Sequence, residues 1–268
     1  LRQAQCRLLR IEEDAGVATL QLIDQSEASP AIISQQVLQE GIAGEILITG
    51  SSLDDTLTID QSVLEQTSLV VSFDGGLGAD TLAGPDAGAQ FELTAEGAGS
   101  LGNVDFQGVE NLVGGSGEDT LSGPAADTTW NITGENSGDV AGVSFSGMEN
   151  LLGAAANEDT FVVTEDGGIS GVIDGGDAGF DSLVLDGGTF ASVEYEAFGP
   201  SSGTVTRDGD VLSYDGLEPI TDDSDTTNRV IDLSALSDTA ILSESGGQLT
   251  VGDSDPFGVF TFESVTFN

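Results

Sequence analysis

Gly75-Gly76-Leu77-Gly78-Ala79-Asp80 and Gly114-Gly115-Ser116-Gly117-Glu118-Asp119 each place a carboxylate two residues after the last of three glycines. Glycine enters positive φ without steric cost, so such a turn can aim its carbonyl oxygens inward. The aspartate adds a carboxylate to that ring. Together these oxygens form a hard cage, the donor set calcium takes with about 6–8 ligands at about 2.3–2.6 Å. A third copy begins at Gly175-Gly176 and reaches Asp181 with one inserted residue. The candidate metal residues are therefore Gly75, Gly76, Gly78, Asp80, Gly114, Gly115, Gly117, Asp119, Gly175, Gly176 and Asp181. With no His and a single Cys, a transition metal is disfavoured. A second reading stands beside the first: the turns need glycine for their shape alone and carry a solvated aspartate.

These turns belong to a repeat. Aligning Gly75 with Gly114 gives an offset of 39 residues, and the same offset carries Asp80 onto Asp119, Pro85 onto Pro124, Phe106 onto Phe145 and Glu110-Asn111 onto Glu149-Asn150. Weaker copies are centred on Asp55 and on "NEDTFVV" from Asn157. Between the turns lie short segments such as "QFELT", "WNITG" and "DSLVL", which alternate apolar and polar residues as half-buried strands do. Short strands at a fixed period predict an all-β chain, a parallel β-helix or β-solenoid whose coils bury their apolar faces by stacking. About two coils per repeat are expected. A β-sandwich is the alternative, and it suits the last 80 residues best, where the repeat is lost. Three segments follow: an N-terminal cap or linker over 1–43, a solenoid region over 44–218 and a C-terminal β region over 219–268. "PAIISQQVLQEGIAG" carries Ile32, Ile33, Val37 and Leu38 at roughly helical spacing before Gly41, so a short helix or an irregular cap is expected there.

Charge narrows the partners. The chain has 47 acidic and 5 basic residues, a formal net charge of -42, and beyond Ile11 its only cations are Arg207 and Arg229. Nucleic-acid binding requires cationic side chains that displace counterions, so it is excluded, and an anionic membrane surface with it. Cations are the natural partners, since they relieve self-repulsion. A salt-adapted solvated surface is the competing account of the charge. One cysteine, Cys6, permits no intrachain disulfide, and no apolar run is long enough to span a membrane. The chain begins at Leu1 and reads as a piece of something longer.

The Gly75 and Gly114 segments resemble the calcium-binding nonapeptide of repeats-in-toxin (hemolysin-type) proteins, G-G-x-G-x-D-x-(apolar)-x. More widely, "FQGVENLVGG", "TTWNITGENSGDV", "LSYDGLEPI" and "FTFESVTFN" are similar to segments of large secreted bacterial surface or adhesin-like proteins. The resemblance implies an extracellular or cell-surface β-helical segment, dependent on Ca2+, with an adhesive or structural role. It departs from the pattern in spacing: repeats-in-toxin nonapeptides follow one another directly, whereas these stand 39 residues apart.

No enzymatic role is expected. Lysine and histidine are absent, and the adjacent pairs Asp54-Asp55 and Asp222-Asp223 would point to opposite faces of an extended strand. "TDDSDTT" from Thr221 reads as a solvated linker. Trp130 reads as a core residue, and Glu110-Asn111 and Glu149-Asn150 as corner positions where asparagines could form a ladder. Two functions remain: a calcium-rigidified structural module, open to homopolymer formation or to docking with neighbouring domains, and an adhesin recognition module that binds a glycan or a cell surface.

Overall fold

The computed structural model describes residues 6–14, 17–25, 30–38, 44–66, 68–233, 240–245, 248–253 and 264–267. The chain is all-β, with long mixed sheets and one four-residue helix among the described residues. It divides into two compact units. The first comprises Leu1–Leu121 with Ala141–Met148, and the second Ser122–Val140 with Glu149–Asn268.

The first unit opens with β1 (Cys6–Asp14), β2 (Val17–Asp24) and β3 (Ala31–Val37). These pair antiparallel, β1 with β2 and β2 with β3. The helix or irregular cap expected here is thus corrected to a three-stranded meander. Adjacent β-branched Ile32 and Ile33 suit an extended backbone, and ladder bonds to β2 override the helical spacing. Next come β4 (Gly44–Thr49), β5 (Thr56–Ile59), the single-turn α1 (Gln61–Leu64), β6 (Leu69–Asp74), β7 (Thr81–Ala83), β8 (Gln90–Ala95), β9 (Ala98–Leu101), β10 (Val104–Gln107) and β11 (Asn111–Val113). Asp60 caps α1 by accepting from Ser62 N, and Val63 is its buried residue. β12 (Thr120–Ser122) spans the division between units. β13 (Thr129–Gly134) and β14 (Ser137–Val140) belong to the second unit, and β15 (Val143–Ser146) to the first.

Within the first unit, one sheet runs β15-β11-β7-β5-β1-β2-β3 and the other β8-β9-β10-β6-β4. From β4 to β7 the chain changes sheet at every strand. Each strand lies parallel to the next one in its own sheet: β5 with β7, β7 with β11, β4 with β6, β6 with β10. Parallel in-register pairing puts like residues in rows. Leu57, Leu82, Leu112 and Phe145 form one buried row, and Phe73 pairs with Phe106 in a buried row of the other sheet. The hairpins β8–β9 and β9–β10 are antiparallel insertions in this scheme. The first repeat therefore visits the sheets three times, through β7, the β8–β10 meander and β11. Two full coils per repeat would require four visits.

The second unit continues with β16 (Asn150–Leu152), β17 (Thr160–Thr164), β18 (Val172–Asp174), β19 (Asp181–Asp186), β20 (Thr189–Gly199), β21 (Ser202–Arg207), β22 (Asp210–Asp215), β23 (Leu217–Asp222), β24 (Asp225–Asp232), β25 (Ala240–Ser245), β26 (Gln248–Asp253) and β27 (Val265–Phe267). Its sheets run β25-β26-β27-β23-β19-β17-β13-β14 and β24-β20-β21-β22-β18-β16. Trp130, Phe161, Leu183, Ile220 and Val265 form a buried row, and Trp130 stacks on Phe161 at 5.2 Å between ring centroids. The adjacent row passes Ile132, Val163 and Leu185 to a fully buried charge, Asp222, and on to Phe267.

Candidate functional site

Each glycine-aspartate turn joins two strands and closes against a neighbouring turn of the same unit. Its first glycine is fixed by distance. A Cβ built on Gly50, Gly75, Gly114 or Gly153 would lie 1.9, 2.0, 1.8 or 2.4 Å from the carbonyl oxygen of Gly75, Gly108, Gly147 or Gly175 respectively. Nothing larger than hydrogen fits between backbones that close. An oxygen of the turn's own aspartate borders the same hollow: Asp55, Asp80, Asp119 or Asp159 Oδ2.

The aspartates are buried, not solvated: Asp80 and Asp119 are fully inaccessible, and Asp55, Asp159 and Asp181 nearly so. Their oxygens staple backbone to backbone. Asp119 Oδ2 accepts from Gly115 N of its own turn at 2.8 Å, and Oδ1 accepts from Ala89 N of the neighbouring turn at 2.7 Å. Asp159 repeats the arrangement, with Oδ2 on Ala154 N and Oδ1 on Thr128 N. Asp55 closes its own turn through Ser51 N. Charge-assisted bonds of this kind are about twice as strong as neutral ones. The next carboxylate then reaches the aspartate's own backbone: Asp80 Oδ1 accepts from Asp55 N, and Asp181 Oδ1 from Asp159 N, each at 2.7 Å.

Asp80 differs from Asp119 in one respect. Its Oδ1 is used, but its Oδ2 is buried without a hydrogen-bond partner. The reason lies one residue after the first glycine. Gly76 and Gly78 take φ of +100° and +130°, as Gly176 and Gly179 take +97° and +124°, whereas Gly115 and Gly117 stay outside the left-handed region. No bond from Gly76 N closes the Asp80 turn as Gly115 N closes the Asp119 turn. Glu110 Oε2 accepts from Asp80 N at 2.7 Å, and Asp54 Oδ1 accepts from Ala79 N. Burial pushes the Asp80 carboxyl up, and the charges of Glu110, Asp55 and Asp54 push the same way, outweighing the Asp55 N–H that lowers it. Asp181 and Asp159 are raised as well, chiefly by burial.

Among the described residues no group of three or more His, Cys, Asp or Glu side chains is gathered so that it could hold a metal ion. A calcium cage drawn from carbonyls would lie outside such a group. Of the donors present, the Asp80 turn offers one carboxylate oxygen, Oδ2, that accepts no hydrogen bond and lies near the Gly108 carbonyl oxygen beside Gly75. At Asp119 both oxygens already accept N–H groups.

Asp159, absent from the candidate metal set, performs the same stapling, and Asp55 closes its own turn; their weak repeat copies are the sequence signal. The corner asparagines bond backbone: Asn150 Oδ1 accepts from Val172 N, and Asn111 Nδ2 donates to Asp80 O. The solvated linker at Thr221 is corrected at Asp222. Its Oδ2 accepts from Tyr195 Oη at 2.6 Å and from Arg229 Nε at 3.0 Å, and its Oδ1 accepts from Ser224 N. Burial works to raise this carboxyl, yet the bonds from Ser224, Tyr195 and Arg229 hold it below the usual range. Arg207, also buried, donates to Thr164 O and Gly167 O and caps the Phe190 ring.

The fold and its turns define a class in physical terms: an all-β chain in which buried aspartates tie glycine turns together. No protein-family model matches the chain, and no curated protein sequence is significantly similar to it.

Proposed function

We propose that the chain is a structural module, a β-solenoid segment of an extracellular bacterial surface or fibre-forming protein, rigidified by Ca2+ at the Asp80 turn. The observation that carries the structural reading is the staple. One carboxylate holds its own turn and a neighbouring turn together, as Asp119 does through Gly115 N and Ala89 N. A device used this way fixes the spacing of strands and leaves no reactive group exposed. The alternating sheet visits and parallel rows support the solenoid. The calcium reading is supported by the unpartnered Oδ2 of Asp80 and by a net charge of -42, which bound cations relieve.

The test is thermal unfolding in calcium and in chelator, with sodium chloride matching the ionic strength. A ligand bound only by the folded state adds about 2.7 kcal/mol at one hundred times its dissociation constant. Calcium at millimolar level is expected to raise the melting temperature beyond the sodium control, and Asp80→Asn to abolish that difference. Identical melting in calcium and chelator would remove calcium from the proposal.

A further inference from the structure

We propose that β3 and β25 are a self-association pair, with β3 of one copy adding as a strand to β25 of a second copy. Among the described residues β3 pairs only with β2, and β25 only with β26. Each therefore keeps one edge of backbone N–H and C=O groups without a strand partner, a template for another strand. Every residue of both strands is exposed. The apolar ones stand out: Ile32 and Ile33 at 48% each, Ile241 at 52% and Leu242 at 66%.

Soluble sheets guard such edges with charges, prolines or bulges. β3 has one such device, the register shift that sets Ile33 out of the ladder with β2. Charge is missing. Ala28 to Gln39 is a run of twelve residues without a charged side chain, the longest in a chain with 47 acidic residues. β25 carries only Glu244.

The occupant follows from charge and from sequence. A cationic partner would be drawn to the acidic surface in general and gains nothing from an uncharged strand. Two copies of a chain at -42 repel one another over most of their surface, and an uncharged edge is where they can approach. The two edges are also alike: Ala31-Ile32-Ile33-Ser34 in β3 and Ala240-Ile241-Leu242-Ser243 in β25. Matched β-branched and aliphatic segments make favourable cross-strand pairs. Because β3 and β25 are different surfaces, the contact is heterologous and each added copy exposes a fresh edge. The pairing goes beyond the structural-module reading and needs no calcium.

Sedimentation velocity over a concentration series tests it, in chelator at about 0.15 M salt, where the Debye length is about 8 Å and distant charges are screened. Three forms are compared: the unaltered chain, Ile32→Lys/Ile33→Lys, and Ile241→Lys/Leu242→Lys. The unaltered chain is expected to give an open series of oligomers. Each lysine form alone is expected to self-associate about tenfold more weakly or less. Mixed, the two forms are expected to give a one-to-one dimer and nothing larger, since one working edge remains on each. If either lysine pair lowers the melting temperature, Ser34→Lys or Ser243→Lys on the same exposed strand replaces it. A chain that stays monomeric throughout overturns the proposal. So does a β25 variant that dimerises alone, because that would mean β3 pairs with β3.

Discussion

The turns at 75–80 and 114–119 share the same glycines and the same aspartate at the same spacing, yet they fold differently. In the second, Gly115 N turns toward Asp119 and closes the loop. In the first, Gly76 and Gly78 adopt positive φ and Asp80 keeps a buried oxygen unpartnered. The difference comes from what each turn packs on. The 75–80 turn lies on Ser51–Asp55, where Leu77 N donates to Ser51 O and Ala79 N to Asp54 Oδ1. The 114–119 turn lies on Pro85–Ala89, where the positive φ belongs to the neighbour, Gly88 at +80°. A motif fixes which backbone shapes are permitted, and the neighbouring turn selects among them.

The largest effect should come from the feature the two turns share. Gly75→Ala and Gly114→Ala each drive a methyl into a carbonyl oxygen at 2.0 or 1.8 Å. Backbone must shift, so each should cost about 3 kcal/mol or more, at the severe end of single substitutions. Gly187→Ala is the control. Nothing lies within 4 Å of its added Cβ, but its φ is +69°, so only about 1–2 kcal/mol of left-handed strain is expected. Denaturant unfolding of the three variants ranks them. Equal losses at all three would mean that backbone conformation, not close approach, sets the glycine requirement.

A medium effect should separate the two turns. In chelator, Asp119→Asn replaces one acceptor with a donor facing an N–H, and one buried donor loses its partner. About 1–3 kcal/mol should be lost. Asp80→Asn removes a buried charge at an oxygen that accepts no hydrogen bond. Stability should hold or rise. Urea midpoints in chelator check both, and a loss at Asp80→Asn as large as at Asp119→Asn would erase the distinction between the turns.

Much of this was legible in the residues. The 39-residue offset, the short alternating strands and the apolar residue two past each aspartate, as at Leu82, Leu121 and Phe161, all follow from pattern in the sequence. What escaped depends on partners distant in sequence. Asp222 sits in a polar run and reads as solvated, because Tyr195, which buries it, lies 27 residues away. The staples escaped for the same reason: Ala89 N and Asp119 are 30 residues apart. At β3 the helical spacing of four apolar residues was real but outweighed by pairing with β2. Aspartate spacing signals a turn, but whether its oxygens meet N–H groups or nothing is decided by the neighbouring backbone.

The smallest effect, and the most diagnostic of how buried aspartates are held, is the pH dependence in chelator. Asp159 and Asp222 are both buried, but their carboxyls shift in opposite directions. The Asp159 carboxyl is raised, so the folded state holds its proton more tightly than the unfolded state. Its contribution to stability is full below the unfolded value, about 3.9, and is lost as pH rises through the higher folded value. The Asp222 carboxyl is lowered, so its contribution is full above about 3.9 and is lost as pH falls through the folded value. The melting temperature should therefore climb as pH drops from neutrality, pass a maximum on the acid side and then fall. General charge repulsion acts in the same direction over the climb, so the variants carry the discrimination. Asp159→Asn should make the climb shallower, since Asp80 and Asp181 still contribute to it, and leave the acid fall in place. Asp222→Asn should lower the whole curve, because Tyr195 and Arg229 lose their shared acceptor, and should flatten the acid fall. Melting curves from about pH 3 to pH 8 in chelator decide it. An unchanged climb in Asp159→Asn would remove Asp159 from the acid stabilisation and leave it to Asp80, Asp181 and overall charge.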